Sequence, residues 1–297
     1  MNILVTGGNG QLGTELKKYI TDRNTWLFLG HNELDILNED DVKEVIKNND
    51  IDIILNCAAY TNFDEGPNNV EKVKNINEIG PRILAESIKS QNGIVIHVST
   101  DYVFDGNKRF GKYKPESKTN PLSVYGITKR NGENNVINSG ANYLIFRVSW
   151  LYGGDRKNFV RTIFDRIGEE NELKIVSDQI GTPTYVTDFA KFLIHIVDNF
   201  TLDELKTKTG LYHYANKGKT SWWNLGNHTK KYRKKYDKTF TNTCKIIKIK
   251  TEEYMANDVR PKYSPLSVAK TEQQFKVFIR HWKSALKDCI IKYIKYK

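Results

Sequence analysis

The most constraining feature of the sequence is a glycine-rich turn directly after a short apolar run at the start of the chain. Residues Ile3–Thr6 are typical of a buried strand, and glycines follow at positions 7, 8, 10 and 13. Such glycines allow a tight turn, a close approach of a pyrophosphate to the backbone, and close packing of a helix on the strand. The start of that helix would offer free N–H groups to the phosphates. The turn therefore predicts a dinucleotide-binding domain, with an ordinary glycine-rich turn as the alternative.

The alternation of short apolar runs with amphipathic stretches in the first half of the chain predicts an α/β fold. We expect a doubly wound parallel sheet (Rossmann type), covered by helices on both faces, and a smaller mixed α/β substrate-binding domain. The predicted strands are Ile3–Thr6, Trp26–Leu29, Ile51–Asn56, Gly93–Ser99 and Tyr143–Arg147. The predicted helices are Gln11–Ile20, Glu39–Asn48, Asn68–Ser90 and Pro121–Asn138.

The second half of the chain has a less regular rhythm, and we assign it mainly to the substrate-binding domain. The cofactor domain spans residues 1–150 and the second domain residues 151–297, with segments near 173–198 returning to the Rossmann sheet. The hydroxyls of Thr187 and Ser221 are candidate caps for the helices that begin there. The predicted elements are a helix at Phe159–Ile167, a strand at Leu173–Val176, a helix at Thr187–Val197 and a helix that begins at Ser221.

Composition and charge limit the class of protein and of ligand. The 297 residues are 39% hydrophobic and 27% charged, which suits a globular chain of two domains or one large α/β unit. A net charge of +11 favours acidic ligands such as phosphates, nucleotides or nucleic acid. The widely separated Cys57, Cys244 and Cys289 do not suit a disulfide framework or a zinc knuckle. Without an apolar run of about 18 residues or a signal peptide, we expect a cytoplasmic protein with no membrane partner.

The end of the second predicted strand bears on the choice of dinucleotide. Domains specific for NAD place an acidic residue there to hold the ribose 2′-hydroxyl. Here residues 29–32 contain no acid, and the first one is Glu33. A 2′-phosphate would not be repelled at this place, and Lys17 or His31 could help to hold it. The sequence slightly favours NADP(H), while NAD(H) stays open, and Asp35 is expected beside the adenine.

Tyr125 and Lys129 are four residues apart, so they share one face of a predicted helix. A free tyrosine has a pKa near 10, and a nearby lysine charge favours the phenolate and lowers that value. The phenol could then protonate an alkoxide that forms when hydride reaches a carbonyl carbon. Lys129 could also bind the nicotinamide ribose. Because the chain has 16 tyrosines, the spacing alone also arises by chance.

The context of the pair favours the catalytic interpretation. A predicted strand ends just before Thr100, and ligands bind at the carboxyl ends of parallel strands in open α/β sheets. Thr100 could donate a hydrogen bond to the same substrate oxygen as Tyr125. The alternative is a strand-end threonine that bonds its own backbone.

With these motifs the sequence resembles the extended short-chain dehydrogenase/reductase superfamily and, within it, the dTDP-4-dehydrorhamnose reductase family. The resemblance covers nearly the whole chain. The stretches 99–106 and 178–184 are the most specific to this branch. The matching stretches are 7–13, 56–61, 99–106, 125–133, 147–153, 158–160, 178–184 and 259–262.

The resemblance implies NAD(P)H-dependent reduction of the 4-keto group of a nucleotide-linked 4-dehydro-6-deoxy-L-hexose to the L-rhamnose nucleotide. Whether the nucleotide is dTDP or UDP stays open. By motif match, Tyr125 would be the proton donor, Lys129 its activator and ribose ligand, and Thr100 the third member of the triad. The implied cofactor ligands are Gly7, Asn9, Gly10, Gln11, Leu12, Gly13, Asp35, Ile36, Ala58, Ala59, Tyr60, Tyr125 and Lys129. The implied substrate ligands are Thr100, Asp101, Trp150 and Arg260, with Lys262 as the alternative to Arg260 at the diphosphate.

Some related enzymes also epimerise the sugar, with a cysteine in the loop that here spans residues 103–105 and contains none. Cys57 lies elsewhere, and we interpret it as a buried hydrophobic residue. We therefore expect a reductase that depends on a separate 3,5-epimerase and an upstream 4,6-dehydratase. Two alternatives stay open. One is a bifunctional 3,5-epimerase/4-reductase, and the other is a non-catalytic regulatory subunit of the methionine adenosyltransferase type.

Two further features concern partners. The stretch His228–Lys250 carries nine Lys or Arg and one acid, Asp237. We interpret it as a solvated face or a rim that attracts a diphosphate, because no nucleic-acid fold motif accompanies it. Glu15 matches a position linked to metal-assisted dimers in the family, but a lone acid on a helix is usually solvated. We predict no metal site, and a homodimer stays open.

Overall fold

The computed structural model of the chain describes residues 1–61, 69–254 and 259–296. Short helices of other types lie at Asn75–Ile79 (a π-helix), Asp101–Val103 and Thr251–Glu253 (both 3₁₀). The strands are β1 (Asn2–Thr6), β2 (Thr25–Leu29), β3 (Ile53–Asn56), β4 (Ile94–Thr100), β5 (Asn142–Val148), β6 (Leu151–Tyr152), β7 (Glu172–Val176), β8 (Ile180–Gly181), β9 (Thr184–Tyr185), β10 (Gly210–Tyr214), β11 (Thr220–Ser221) and β12 (Lys245–Ile249). The helices are α1 (Gln11–Leu16), α2 (Glu39–Asn48), α3 (Val70–Lys74), α4 (Gly80–Lys89), α5 (Val124–Asn138), α6 (Phe159–Arg166), α7 (Val186–Asn199), α8 (Leu202–Lys206), α9 (Trp222–Tyr236), α10 (Ala269–Phe275) and α11 (Trp282–Lys295).

A six-stranded parallel sheet forms the centre of the structure, in the order β10-β5-β4-β3-β1-β2. The chain leaves β1 for β2 on one side and returns to β3 on the other. The order therefore reverses between β1 and β3, and such a switch point is where open α/β sheets bind ligands. The predicted doubly wound sheet is confirmed. Strand β10 was not predicted, because its Tyr-His-Tyr sequence lacks a continuous apolar run.

The central strands are apolar on both faces because helices cover both sides of the sheet. Ile3 and Val5 belong to the core that also contains Phe189 of α7, whereas Leu4 belongs to the core that contains Leu84 of α4. Helix α7 thus packs against the sheet, whereas β7 pairs with β12 outside it. The division of the chain near residue 150 stays a prediction.

Helix boundaries differ from the predictions where a cap or a neighbouring segment sets them. Helix α5 begins at Val124 rather than Pro121, because Ser123 caps it by accepting a hydrogen bond from Gly126 N at 3.1 Å. Thr187 is not a cap, since α7 begins one residue earlier and the Thr187 hydroxyl donates to Glu15 instead. Ser221 does cap α9 through Asn224 N.

Other predicted bounds also shift, most by one or two residues. Helix α1 ends at Leu16, four residues before the predicted end, and β3 begins at Ile53. The predicted long helix from Asn68 consists of α3, the π-helix and α4, and Asn68 itself lies outside the described residues. No helix in the described ranges is both long and apolar enough to cross a membrane.

A buried ion pair holds α5 against the sheet. Arg147 of β5 donates two hydrogen bonds to the Glu133 carboxylate, from Nε at 2.8 Å and from Nη2 at 2.6 Å. Ser99 of β4 donates a third to the same carboxylate at 2.5 Å. Both charged side chains are at most 3% exposed. The pair therefore links α5, β4 and β5 at one buried point.

We expect Arg147→Met to lower the free energy of unfolding by about 3–5 kcal/mol, because the Glu133 carboxylate would stay buried without its partner. Urea denaturation measures the change. The matched control is Arg82→Met, which breaks an exposed pair with Glu86 and should cost less than about 1 kcal/mol. Equal losses in the two variants would contradict the assigned importance of the buried pair.

Candidate active site

A cleft of about 490 Å³ opens at the carboxyl ends of the central strands, next to the switch point between β1 and β3. Its wall combines segments from both halves of the chain. The predicted site residues outside the wall are Gly7, Asn9, Gly13, Asp35, Ile36, Ala58, Tyr60 and Lys262. The predicted site residues in the wall are Gly10, Gln11, Leu12, Ala59, Thr100, Asp101, Tyr125, Lys129, Trp150 and Arg260.

The glycine turn presents bare backbone to this cleft. Gly7 has a positive φ of 66°, and a Cβ there would lie 2.7 Å from Ala58 N, so the turn closes tightly against the end of β3. Gly10 precedes α1, and no side chain among the described residues caps the helix. Unbonded N–H groups at a helix start suit the phosphates of a dinucleotide. The turn therefore fits the diphosphate that the sequence predicts there.

A loop from the second half of the chain lies over this turn. Gln11 Nε2 donates to Gly153 O at 2.9 Å, and Arg156 Nη2 donates to Asn9 O at 2.5 Å. The neighbouring Lys157 and Asn158 are in the wall of the cleft. The contact of Arg156 with Asn9 was not predicted, because no local pattern marks a contact between segments so far apart in the chain.

An acidic side chain does lie at the end of β2, contrary to the sequence interpretation. The Glu33 carboxylate accepts hydrogen bonds from Gly30 N at 2.5 Å and from Asn9 Nδ2 at 3.4 Å. The turn that begins at Gly30 brings this later residue back to the strand end. The Lys17 ammonium, a candidate from the sequence for holding a 2′-phosphate, lies 5.2 Å from the centre of the Phe28 ring on β2.

The predicted adenine-side residues have structural contacts as well. One oxygen of Asp35 accepts from Leu37 N at 3.0 Å, and Ile36 is buried in a hydrophobic core. Both follow the Gly30 turn in the chain.

Two buried asparagines hold the segment after β3. Asn56 Oδ1 accepts from Ala58 N at 3.0 Å. The Asn77 amide bonds both backbone groups of Tyr60, accepting from its N–H at 2.8 Å and donating to its carbonyl at 3.0 Å. Asn77 lies in the π-helix, a type of segment often found near functional sites. Asn77 was not predicted from the sequence, since a π-helix has no distinct sequence pattern.

Tyr125 and Thr100 meet in the cleft as predicted, and their side chains are hydrogen-bonded. The approach is possible because residue 126 is glycine, where a Cβ would lie 2.3 Å from Tyr102 O. Burial raises the pKa of Tyr125 well above its usual value, although the hydrogen bond with Thr100 opposes this. The phenol therefore keeps its proton across the neutral range.

Lys129 lies in the same wall, but its charge does not lower the pKa of Tyr125 as the sequence predicted. Its Nζ donates to Val98 O at 2.7 Å and lies 3.5 Å from His97 Nε2. Burial lowers the pKa of Lys129 to about 8. The ammonium is thus directed to β4, and burial dominates the ionisation of both side chains.

Asp101 is a buried acid next to the Thr100–Tyr125 pair. Its Oδ2 accepts from Ser264 Oγ at 2.5 Å, and Thr100 Oγ1 donates to its Oδ1 at 3.4 Å. Burial raises the pKa of Asp101 to about 7 despite these hydrogen bonds. Ser264 was missed in the sequence because it is 163 residues away from its partner.

Stacked aromatic side chains form the wall on the side of the second half of the chain. Trp150 stacks on Trp222 with ring centres 3.6 Å apart, and Phe159 lies 4.6 Å from Trp222. Gln179, from the specific 178–184 stretch, accepts from Trp222 Nε1 at 3.1 Å. A Cβ on Gly181 would lie 2.5 Å from the Trp150 ring. The stretch thus shapes the aromatic wall, and Trp222 was not predicted from the sequence.

The two basic candidates for the substrate diphosphate differ in position. Arg260 is in the wall of the cleft, whereas Lys262 is exposed and pairs with Glu252 at 3.4 Å. Arg260 is therefore the better placed of the two.

Cys57 is half-buried at the edge of the core and also lines the cleft, so it is not the fully buried residue that the sequence suggested. Burial raises the pKa of its thiol to about 12. A thiol that stays protonated is a poor base.

Glu15 is buried rather than solvated, contrary to expectation. It is 1% exposed and contacts Lys18 at 3.0 Å, Lys292 at 3.1 Å and the Thr187 hydroxyl. Burial would raise the pKa of Glu15, but these hydrogen bonds outweigh it and the pKa is lowered. In the part of the chain that the structure describes, no three His, Cys, Asp or Glu side chains form a metal-binding group.

The basic stretch 228–250 is only partly a solvated face. Arg233 is buried, donates to Phe164 O and lies 3.5 Å from Asp237. Lys230 is half-buried and donates to Cys244 O. These two cations thus serve internal packing, which their local sequence does not show.

Comparison with known proteins agrees with the resemblance seen in the sequence. The model of the family described as "RmlD substrate binding domain" matches residues 1–294. A dTDP-4-dehydrorhamnose reductase of Aggregatibacter actinomycetemcomitans is 36% identical over 293 residues, which is 96% of this chain and 97% of that protein. The chain belongs to the dTDP-4-dehydrorhamnose reductase family.

Solved structures of dTDP-4-dehydrorhamnose reductases share the whole fold. The protein from Clostridium acetobutylicum has a TM-score of 0.89 at 34% identity and covers 99% of both chains. The protein from Bacillus anthracis, solved in complex with NADP, has a TM-score of 0.87 at 30% identity and covers 98% of this chain and 99% of that one. The comparisons lend no support to a regulatory subunit or a bifunctional epimerase.

We expect Asp101→Asn to remove a pH-dependent penalty on stability. An unfolded aspartate ionises near pH 4, but Asp101 keeps its proton up to about pH 7 in the folded state. Stability of the natural chain should therefore fall as the pH rises between these values.

Thermal denaturation tests this. At about pH 8 we expect Asp101→Asn to melt roughly 5 °C higher than the natural chain, with a smaller difference at about pH 5. The control Asp203→Asn changes an exposed carboxylate and should melt like the natural chain. A constant difference at the two pH values would contradict the assigned ionisation of Asp101.

Proposed function

We propose that the protein reduces the 4-keto group of dTDP-4-dehydrorhamnose to give dTDP-L-rhamnose, with NADH or NADPH as hydride donor. The observation that carries the proposal is the hydrogen-bonded pair of Tyr125 and Thr100 in a cleft beside the glycine turn. The names of the relatives support the substrate, and the NADP complex of the Bacillus anthracis protein supports the cofactor class.

In the proposed reaction the nicotinamide supplies hydride to the carbonyl carbon, and this chain supplies the proton. The carbonyl oxygen gains negative charge as hydride arrives, and Tyr125 Oη gives it a proton. Thr100 donates a hydrogen bond to the same oxygen and orients it. Because burial keeps the pKa of Tyr125 high, the phenol holds its proton until the alkoxide forms.

The cofactor would lie between the glycine turn and Lys129. The turn would hold the diphosphate, and Lys129 would bind the nicotinamide ribose and restore the charge balance after Tyr125 loses its proton. The residues that we propose for the cofactor are those predicted from the sequence: Gly7, Asn9, Gly10, Gln11, Leu12, Gly13, Asp35, Ile36, Ala58, Ala59, Tyr60, Tyr125 and Lys129.

The sugar nucleotide would occupy the side of the cleft formed by the second half of the chain. Asp101 offers a carboxyl group to sugar hydroxyls, and Trp150 offers an aromatic surface to the sugar ring. Arg260 supplies a positive charge for the diphosphate.

The 3,5-epimerisation that precedes this reduction would belong to a separate enzyme. Cys57 is the cysteine in the cleft wall, and its raised pKa leaves it protonated at neutral pH. A separate 3,5-epimerase and a 4,6-dehydratase would supply the substrate. A homodimer stays a prediction.

The first test is NADH and NADPH oxidation with dTDP-4-dehydro-6-deoxyglucose, with and without added 3,5-epimerase. Oxidation that requires the epimerase is the expected result. Oxidation without it would contradict the separate epimerase, and the UDP analogue in place of dTDP tests the base. No oxidation in any combination would overturn the proposed function.

We expect Tyr125→Phe to lower kcat by on the order of a hundredfold or more, because the proton donor is lost while the ring remains. The dissociation constant of the cofactor should change little. Tyr263→Phe removes a hydroxyl that bonds Gly111 O outside the cleft wall and serves as the matched control. Near-normal turnover in Tyr125→Phe would refute the assigned proton donor.

For the choice of cofactor, we propose that both are used and that Glu33 limits the use of NADPH. A carboxylate at the end of β2 can accept from the ribose 2′-hydroxyl and repels a 2′-phosphate. The slight preference for NADP(H) inferred from the sequence rested on the lack of an acid at this place, and the contact of Glu33 with Gly30 N weakens that argument.

We expect Glu33→Gln to raise the ratio of kcat/KM for NADPH to that for NADH by on the order of tenfold, since one like charge is removed. Steady-state kinetics with both cofactors measures the ratio. Glu44→Gln, an exposed change on α2, should leave it unaltered. An unchanged ratio in Glu33→Gln would contradict the proposed position of the 2′-phosphate beside Glu33.

A further inference from the structure

A row of buried polar side chains crosses three neighbouring strands below the cleft. Thr6, Asn56 and His97 are register partners on β1, β3 and β4, and each is at most 1% exposed. Thr6 Oγ1 donates to Asn56 Oδ1 at 2.8 Å, and Asn56 Nδ2 lies 3.0 Å from His97 Nδ1. Burying polar side chains between apolar strands costs free energy unless their hydrogen bonds are made. A row in which each side chain is hydrogen-bonded to the next therefore favours one orientation of these side chains.

The row determines which ring nitrogen of His97 carries the proton. Asn56 Oδ1 accepts from Ala58 N at 3.0 Å, and since a backbone N–H can only donate, the atom that faces it must be the oxygen. The other amide atom is then Nδ2, which donates to His97 Nδ1. A neutral imidazole whose Nδ1 accepts carries its proton on Nε2.

His97 Nε2 faces Lys129 Nζ at 3.5 Å. An ammonium group has no lone pair and cannot accept from this N–H, whereas a neutral amine can. Burial and the Lys129 charge lower the pKa of His97 well below its usual value, so the ring stays neutral. The N–H therefore opposes the charged form of Lys129.

The other groups around Lys129 do not reverse this effect. Glu133 on the same helix favours the ammonium, but Arg147 binds its carboxylate directly. Cys57, after β3, holds its proton, and Tyr125 on α5 does as well. Burial acts in the same direction as the histidine, and the pKa of Lys129 falls to about 8.

We propose that His97 is a positioning residue that, through the tautomer imposed by Asn56, holds Lys129 ready to release its proton. The inference rests on the role of Lys129 in the proposed function. Tyr125 becomes a phenolate when it gives its proton to the alkoxide, and it must regain a proton before the next turnover. The Lys129 ammonium can supply that proton, becoming an amine that accepts from His97 Nε2–H, and then takes up a proton from water.

The first test reads the tautomer directly. In ¹⁵N NMR spectra of the whole protein, His97 should show a protonated Nε2 and an unprotonated Nδ1. Asn56→Asp should reverse this, because one carboxylate oxygen keeps Ala58 N and Thr6 while the other accepts from a protonated Nδ1. A proton on Nδ1 in the natural chain would overturn the proposal.

The second test measures the ionisation of Lys129 through cofactor binding. The NADH dissociation constant, followed by nicotinamide fluorescence, should rise with pH near the pKa of Lys129 because the ammonium favours an anionic ligand. In Asn56→Asp this transition should move up by at least about one pH unit, since His97 Nε2 would then accept from the ammonium. Thr6→Val keeps the tautomer and should keep the transition.

The added charge of Asn56→Asp is separated from its effect on the tautomer by a double-mutant cycle with His97→Phe. If the carboxylate acts through the imidazole, the shift should be much smaller when the His97→Phe change is also present. Two results would overturn the proposal. One is an equal shift of the pH transition with and without the imidazole, and the other is a shift of that transition in Thr6→Val.

The binding titration needs no sugar nucleotide, so the two proposals fail separately. A shifted transition without any turnover would overturn the proposed reaction but support the effect of His97 on the ionisation of Lys129. Turnover with an unshifted transition in Asn56→Asp would overturn the role of His97 alone.

Discussion

The arrangement of the cleft depends on the buried contact between Arg147 and Glu133. This ion pair, with Ser99, ties α5 to β4 and β5. Tyr125 and Lys129 both lie on α5, while Thr100 and His97 lie on β4. A small displacement of α5 along the sheet would separate both pairs at once. Burying the two charges costs free energy, and the contact between them holds the helix at one position relative to the strand.

The cleft gathers its groups because of where the sheet reverses its order. The glycine turn follows β1, the Cys57–Tyr60 segment follows β3, and Thr100 ends β4, so three successive strand ends open on one crevice. The second half of the chain adds the aromatic wall and the loop over the glycine turn. The glycine turn and the aromatic wall thus adjoin at a single edge of the sheet.

The sequence predicted the sheet, its first five strands and the meeting of Tyr125 with Thr100, because these follow from local periodicity and strand-end chemistry. It did not predict contacts that depend on distant segments. Ser264 on Asp101, Arg156 on Asn9 and Lys292 on Glu15 each join residues more than a hundred positions apart. The prediction that Lys129 lowers the pKa of Tyr125 failed for a related reason, since burial dominates the pKa of Tyr125 and depends on the whole fold.

Gly181 has a consequence for the shape of the cleft. Its missing side chain leaves the space that the Trp150 ring occupies, and Trp150 in turn stacks on Trp222. Any larger residue at this position would displace the indole, which is part of the cleft wall. The shape of this wall thus depends on a residue that does not itself line the cleft. Attempts to reshape the cleft of the enzyme for a different ligand would therefore include this position, behind the visible lining.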